Sequence, residues 1–320
     1  MSRAKVAFWS VVLAPIWPLL LALALKSGAI PASGFGAFGQ WYVHTSPVTF
    51  TWIVTLAYAA ALYVLSLATG NASIFDVHWS VLPASFYVVL YALHPGSQPR
   101  FVRAALVFGA VWFWAMRLTG NWLAKGGLGF EDFRYEGYRK TMSPVVFKLF
   151  AFVALFEVQA AMTITMTLPC WYALRAPGRP VGALDALAFV IVVAAVLFEW
   201  TADLQGMSFR KRREEHRKLY PQDLEGTPPK FPRFPTEGLW KWSRHPNYFG
   251  EICVWWGVYL FSVAQSGEWL NWTIVGPVTI HALFLGGSIG ITEKHELGRK
   301  PEYAEYQLRT SRLVPLPPRR

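Results

Sequence analysis

The chain has 320 residues, of which 54% are hydrophobic and 15% are charged. Soluble globular domains carry about 25% charged residues, so this composition excludes an ordinary soluble domain and predicts an integral membrane protein. The formal net charge of +11 would suit a nucleic-acid partner, but the basic residues lie between apolar segments, and we expect no such partner. The two cysteines, Cys170 and Cys253, predict neither a disulfide framework nor a metal site.

Eight segments of the chain are apolar and reach or approach the roughly 20 residues that a helix needs to cross a bilayer. The first follows Arg3 and Lys5 and is longer than the apolar part of a typical signal peptide, so we expect a retained helix. The sequence therefore predicts an all-α, polytopic helical bundle with a seven-helix core and one additional N-terminal helix. Residues 1–320 are predicted to form a single membrane-embedded domain, with N-terminal helices in residues 1–69. The predicted spans are residues 6–25, 48–68, 74–93, 102–123, 145–168, 181–204, 249–266 and 271–291.

The distribution of Lys and Arg predicts the orientation of the bundle. With eight spans, both termini lie on one side of the membrane, and that side holds 23 of the 30 Lys and Arg residues, against 5 on the other. Cytosolic loops are enriched in these residues, so we expect both termini in the cytosol. The absence of a retention signal and the Arg-rich composition favour a bacterial inner membrane.

A block of polar side chains stands at the start of the seventh predicted span, in Leu239-Trp-Lys-Trp-Ser-Arg-His-Pro-Asn-Tyr-Phe-Gly-Glu251. Ionisable groups at that depth are costly and usually mark a functional site. Arg244 and Asn247 stand at a helix start, where free backbone N–H groups favour an anion. The predicted orientation brings polar residues of four other spans to the same cytosolic depth: Asp76, His78, Arg117, Asn121, Glu199, Asp203, Glu293 and His295.

These polar residues also admit structural interpretations. Arg117 could extend to the lipid headgroups, and Glu199 could be its structural partner. The basic segment Arg210–Lys218 could be a solvated helix face or a contact with anionic lipid. The pattern G-x-G-x-x-G at Gly34–Gly39 lacks the preceding strand and the acidic residue that a dinucleotide-binding fingerprint requires, so we assign it no cofactor.

The polar block, with Asp203-Leu-Gln205 before it and the tail Pro301–Pro315 after it, resembles the C-terminal domain of the steroid 5α-reductase family. More narrowly, the chain is similar to a bacterial branch of membrane reductases in that family, through Asp76–Ser80, Arg117–Asn121 and Glu131–Tyr135. The resemblance covers about residues 70–318. It implies a reductase-like core there, with a cytosol-facing cavity for NADPH.

The resemblance also implies roles for individual residues. Arg244, Asn247 and Tyr248 would contact the nicotinamide half and the pyrophosphate, together with Glu251. Asp203 and Arg210 would belong to the adenosine side, and Lys211 would reach the 2′-phosphate. The cofactor-binding residues implied are Arg117, Asn121, Asp203, Arg210, Lys211, Arg244, His245, Asn247, Tyr248, His295, Tyr303, Tyr306 and Arg309.

The reaction implied is the reduction of a conjugated C=C bond in an apolar, steroid-like or lipid enone that enters from the bilayer. Steroid reductases carry a Tyr one turn before the Arg that Arg117 resembles, whereas this chain has Trp114, which has no O–H to donate. The proton donor is therefore open among Asp76, His78 and Tyr135. With Glu251, these residues are the candidate catalytic residues.

Two other functions remain open. Arg244-His-Pro-Asn-Tyr-Phe-Gly250 also resembles the isoprenylcysteine carboxyl methyltransferases, which use S-adenosylmethionine, although the pairing of Asn247 with Glu251 favours the reductases. A non-catalytic membrane protein that binds lipids is a third interpretation. Membrane lipids are expected partners in each case, and the sequence does not reveal an oligomeric state.

Overall fold

The computed structural model describes residues 37–93, 101–127, 131–175, 178–221 and 231–319, together with residues 20, 23 and 24. These residues form helices, turns and loops, and no β-strand occurs among them, so the predicted all-α class is confirmed. The helices are α1 (Ala37–His44), α2 (Pro47–Thr69), α3 (Ala72–Leu93), α4 (Phe101–Ala124), α5 (Phe133–Thr141), α6 (Pro144–Ala173), α7 (Ala183–Leu219), α8 (Pro246–Ser266), α9 (Trp272–Arg299) and α10 (Tyr303–Arg309).

Six of these helices (α2, α3, α4, α6, α7 and α9) are long and apolar enough to cross a membrane, and each overlaps a predicted span. The helix α8 has 21 residues and is not among the six. The predicted span 6–25 lies outside the described residues except at positions 20, 23 and 24, and the motif Gly34–Gly39 begins outside them. The long apolar helices indicate a membrane protein, whereas the predicted count of eight spans is not confirmed and the orientation stays a prediction.

The chain divides into two compact units, which are described separately. The first unit comprises Met1–Phe189 with Val258–Gly276, and the second comprises Val190–Gly257 with Pro277–Arg320.

In the first unit, α2, α3 and α6 pack together around buried aromatic side chains such as Phe75 and Phe156. The loop before α5 holds the start of α3. Glu131 Oε1 accepts a hydrogen bond from the backbone N–H of Ala72 at 2.8 Å, and the backbone N–H of Asp132 donates to Ser73 Oγ at 2.8 Å. The segment Glu131–Tyr135 therefore fixes the first turn of α3 next to α5.

In the second unit, α8 approaches α7 closely at two glycines, Gly250 and Gly257. A Cβ atom at Gly250 would lie 2.7 Å from Glu199 Cβ and 3.1 Å from the carbonyl oxygen of Ala195. A Cβ atom at Gly257 would lie 2.8 Å from Val192 Cγ2. The two glycines are two helical turns apart, so the start of α8 lies against α7 along one face. This packing places the polar block at the point where α7 becomes polar.

We expect Gly250→Ala to lower the melting temperature of the detergent-purified protein, because overpacking a tight contact costs about 1–3 kcal/mol. The matched control is Gly298→Ala on α9, where a Cβ atom would meet nothing within 4 Å. Alanine is the better helix former there and should leave stability unchanged or raise it slightly. Equal melting temperatures of the two variants would contradict the close approach of α7 and α8.

Candidate functional site

A cavity of about 680 Å³ lies in the second unit, along the polar extension of α7. The apolar part of α7 ends at Leu204, and the helix continues for four more turns to Leu219. Residues that recur on one face of this extension line the cavity: Gly206, Phe209, Arg210, Arg213, Glu214 and Arg217. The opposite walls come from Arg233–Pro235, the polar block, the end of α9 and α10.

The cavity carries an excess of cationic side chains. Six Arg and Lys side chains line it, against two Glu side chains. Four of the six are ion-paired with carboxylates, in the pairs Arg217–Glu214, Arg233–Glu302, Arg244–Glu293 and Lys300–Glu296. The Nε atom of Arg213 is buried and has no hydrogen-bond acceptor among the residues that the structure describes. Leaving a buried charged donor unsatisfied costs more than the 1–3 kcal/mol typical of a neutral group. The arrangement therefore favours an anionic ligand, with Arg213 as one of its donors.

Aromatic rings form much of the remaining wall. The His245 ring stacks on the Tyr248 ring with centroids 5.4 Å apart, and Tyr248 stacks on Phe284 at 4.4 Å. Phe234 contacts the rings of Tyr303 and Tyr306 at 5.1 and 5.2 Å. Burial raises the pKa of both phenols, so they stay neutral and add no negative charge to the cavity. Planar rings of a ligand could stack on such walls.

Arg244 is already engaged within the protein. Its guanidinium donates from Nε to Glu293 Oε1 at 2.7 Å and from Nη2 to Glu293 Oε2 at 3.3 Å. Its Nη1 donates to the carbonyl oxygens of Gln307 and Thr310, each at 2.7 Å. Four of its five N–H donors are thus satisfied by protein acceptors. Arg244 holds α9 and the C-terminal tail together at the cavity, with one N–H left for a ligand.

The polar block is anchored on both sides by backbone contacts. Towards α7, the backbone N–H of Leu239 donates to Gln205 Oε1 at 2.8 Å, and Trp240 Nε1 donates to the carbonyl of Ala202 at 3.0 Å. Towards the tail, Ser243 Oγ donates to the carbonyl of Leu313 at 2.7 Å, and the phenol of Tyr306 donates to the carbonyl of Trp240. The motif Asp203-Leu-Gln205 therefore supports the cavity indirectly, through Gln205, which anchors the polar block to α7.

The structure brings together most of the cofactor-binding residues predicted in the second unit. Those that line the cavity are Arg210, Arg244, His245, Asn247, Tyr248, Tyr303 and Tyr306.

Four predicted residues of the second unit lie elsewhere. Lys211 is exposed and lies about 100° around α7 from Arg210 and about 160° from Arg213, so it faces away from the cavity. Arg309 is paired with Glu305 on the surface of α10, and His295 is hydrogen-bonded to Arg299. Asp203 is buried in α7 and is not part of the cavity wall.

Sequence reasoning missed several residues that line the cavity, chiefly Arg213, Arg217, Arg233, Trp240 and Lys300. Arg213 and Arg217 follow Arg210 at spacings of three and seven, which is one helical face. The same spacing could have identified these residues from the sequence, but only if α7 was assumed to continue as a helix beyond its apolar part.

A second polar group lies in the first unit, around Asp76 and Tyr135. The phenol of Tyr135 donates to Asp76 Oδ1 at 2.7 Å, and Gln159 Nε2 donates to the same phenol oxygen at 3.3 Å. Trp79 Nε1 in turn donates to Gln159 Oε1. Burial raises the pKa of Tyr135 well above its usual value, and the Asp76 carboxylate raises it further. Tyr135 therefore stays protonated near neutral pH.

The side chains of the other catalytic candidates, His78 and Glu251, are hydrogen-bonded to groups of the protein. His78 is fully buried, with Nδ1 at 2.9 Å from the carbonyl oxygen of Ile74 and Nε2 at 3.1 Å from the phenol of Tyr58. Glu251, in the second unit, accepts a hydrogen bond from Trp255 Nε1 at 2.8 Å. Arg117 and Asn121 lie near the C-terminal end of α4 in the first unit, where Arg117 is buried.

Comparisons with known proteins show the family to which the chain belongs. No solved structure matches the chain. An uncharacterized protein of Schizosaccharomyces pombe is 29% identical over 328 residues, which cover 98% of this chain and 91% of the yeast protein. The model of a family described as a protein of unknown function, DUF1295, matches residues 62–310. Because this match covers most of the chain, the protein belongs to the DUF1295 family.

Proposed function

We propose that this protein is an NADPH-dependent membrane oxidoreductase that reduces a conjugated C=C bond of an apolar enone. The observation that carries the proposal is the cationic, aromatic-walled cavity on the polar extension of α7. The resemblance of the polar block and tail to the steroid 5α-reductases supports it. The apolar helices suit a substrate that reaches the enzyme from the bilayer.

The residues of the cavity fit NADPH in charge, shape and size. Arg side chains bind phosphate through paired, charge-assisted hydrogen bonds, and Arg210, Arg213 and Arg217 present them along one face of α7. The aromatic walls suit the nicotinamide and adenine rings. The volume of about 680 Å³ is within the range of about 300–1,000 Å³ for small-molecule sites. Bound NADPH supplies a hydride.

We assign the cofactor phosphates to Arg210, Arg213 and Arg217, with Lys300 opposite, in place of Lys211. Arg244 supports the cavity mainly by holding Glu293 and the tail. The proton that completes the reduction is assigned to Tyr135, because its phenol is protonated and held on Asp76. Gln159 orients the phenol by donating to its oxygen.

The charge of the cavity weighs against the methyltransferase alternative. S-adenosylmethionine carries a sulfonium cation and no phosphate, so the Arg and Lys side chains that surround the cavity would repel its reactive centre rather than bind it. The non-catalytic alternative predicts no specific response to either compound.

A thermal-shift titration with NADPH, NADH and S-adenosylmethionine tests the proposal on detergent-purified protein. We expect NADPH to stabilise the protein, by about 2.7 kcal/mol at a hundredfold excess over its dissociation constant, and NADH to stabilise it less because it lacks the 2′-phosphate. A shift with S-adenosylmethionine alone would favour a methyltransferase. No shift with any of the three would favour the lipid-binding alternative.

Two variants of α7 make this test specific for the cavity. Arg213→Gln should weaken NADPH binding, whereas Lys211→Gln, which removes the same charge on the other side of the helix, should leave it unchanged. Equal losses in the two variants would show that net charge, and not the cavity, determines binding. An equal response of the wild type to NADH would overturn the assignment of a cation to the 2′-phosphate.

A further inference from the structure

A second groove, of about 490 Å³, lies along another side of the α7 extension. On α7 it is lined by Leu204, Ser208 and Arg212, which are spaced four residues apart and share one face. Its other walls come from the apolar residues Phe231, Pro232, Pro235 and Trp240 and from the segment Thr236–Gly238, which includes Glu237. Phe209, Pro235 and Trp240 line both this groove and the cationic cavity, so the two sites share a wall.

The groove is continuous with an exposed apolar stripe on α7. Val190, Leu197, Trp200 and Leu204 are 59, 47, 44 and 50% exposed, and their spacings of seven, three and four place them on one face. Because α7 is one of the candidate membrane spans, this face is expected to contact acyl chains. The stripe ends at Leu204, where the groove begins, so a chain that lies along it can pass into the groove.

Cationic side chains follow the stripe beyond its apolar end. Lys211 is seven residues after Leu204 and Lys218 is seven residues further, so both lie on the same side of α7 as the stripe. Arg212 lies at the groove itself. Its contact with Glu237 is 3.2 Å long and both side chains are more than half exposed, so the pair is weak and does not occupy Arg212. The three cations, Lys211, Arg212 and Lys218, therefore outnumber the two carboxylates on this side of α7, which are Glu215 and Glu237.

We infer that the groove binds one anionic phospholipid of the leaflet at the polar end of α7. One acyl chain lies along Leu204 and against the Phe231 and Trp240 rings, and the phosphate lies at Arg212 and Lys211. An apolar channel that opens onto the lipid-exposed face favours a lipid over a soluble anion, and the cations favour an anionic headgroup. The inference does not depend on the proposed cofactor, because the lipid site uses the other side of α7.

Native mass spectrometry on protein equilibrated with mixed phosphatidylglycerol and phosphatidylcholine tests the site. We expect the wild type to retain phosphatidylglycerol preferentially. A cation near the membrane surface contributes about a fivefold factor in affinity for anionic lipid, so Lys211→Gln with Arg212→Gln should lower that affinity about thirtyfold. Ser208→Trp, which fills the groove without changing charge, should also abolish retention.

The control is Arg213→Gln, which removes a cation of the same helix on the cavity side and should leave lipid retention unchanged. Equal retention of phosphatidylglycerol and phosphatidylcholine by the wild type would overturn the inference. This comparison uses the wild type alone, so it does not depend on whether the variants fold. Loss of retention in Arg213→Gln equal to that in the double variant would overturn it too. So would competition by soluble glycerol phosphate, because that result would identify a free-anion site. All these readouts are made without NADPH, so their failure is distinct from failure of the proposed function.

Discussion

Replacing Arg244 by alanine is expected to destabilise the protein by about 3–5 kcal/mol, the cost of removing one partner of a buried ion pair. Arg244 and Glu293 are both nearly buried, and the guanidinium contacts both carboxylate oxygens. The same guanidinium binds two carbonyl oxygens where α10 ends, at Gln307 and Thr310. The substitution therefore leaves an incompletely paired carboxylate and frees the C-terminal tail from the polar block.

The melting temperature of detergent-purified variants measures this effect. Arg309→Ala is the control, because Arg309 and Glu305 are each 64% exposed and an exposed pair contributes about 0–1 kcal/mol. Arg244→Lys keeps the charge but loses the planar fork of donors, so an intermediate melting temperature is expected. An unchanged melting temperature of Arg244→Ala, combined with weaker NADPH binding, would show that Arg244 acts on the cofactor directly and not through the tail.

The sequence predicted the apolar part of the fold well, because continuous apolar runs of about 20 residues admit few structures other than a spanning helix. It predicted a span that ends at residue 204 and allowed a solvated helix face in Arg210–Lys218, but it did not join the two into one helix that reaches Leu219. Beyond residue 204 the helix has no apolar face to reveal its period, and Arg, Lys and Glu are good helix formers that are equally common in loops. The wall of the cavity formed by Arg213 and Arg217 was missed for that reason.

The partners of the candidate site residues could not be predicted from the sequence. The place of Arg244 in the polar block predicts that it binds an anion, whereas in the structure most of its N–H donors bind Glu293 and two carbonyl oxygens more than 60 residues away. Asp76 and Tyr135 were both candidates, but they are separated by 59 residues, and nothing local indicates that they touch. Gln159, which completes that group from α6, carries no sequence signal.

Tyr135→Phe is expected to lower the rate of enone reduction by about 10²–10⁴-fold, the contribution of a positioned general acid. Phenylalanine keeps the buried ring and removes only the O–H that Asp76 accepts. Stability and the NADPH-induced thermal shift should change little. The rate of NADPH oxidation with a panel of apolar enones measures the effect. Tyr138→Phe is the control, since it removes a phenol from the same helix α5 and should retain the wild-type rate.

The pH dependence of the rate separates a proton donor from a structural tyrosine. The pKa of Tyr135 is raised by burial and by the Asp76 carboxylate, so the acid form persists above the usual tyrosine value of about 10. The wild-type rate should therefore show no loss from this group as the pH rises through 10. Asp76→Asn removes the charge that raises this pKa and should move the loss to lower pH. If Tyr135→Phe kept the wild-type rate and profile, the proton would have to come from another group, and Asp76 itself would be the next candidate.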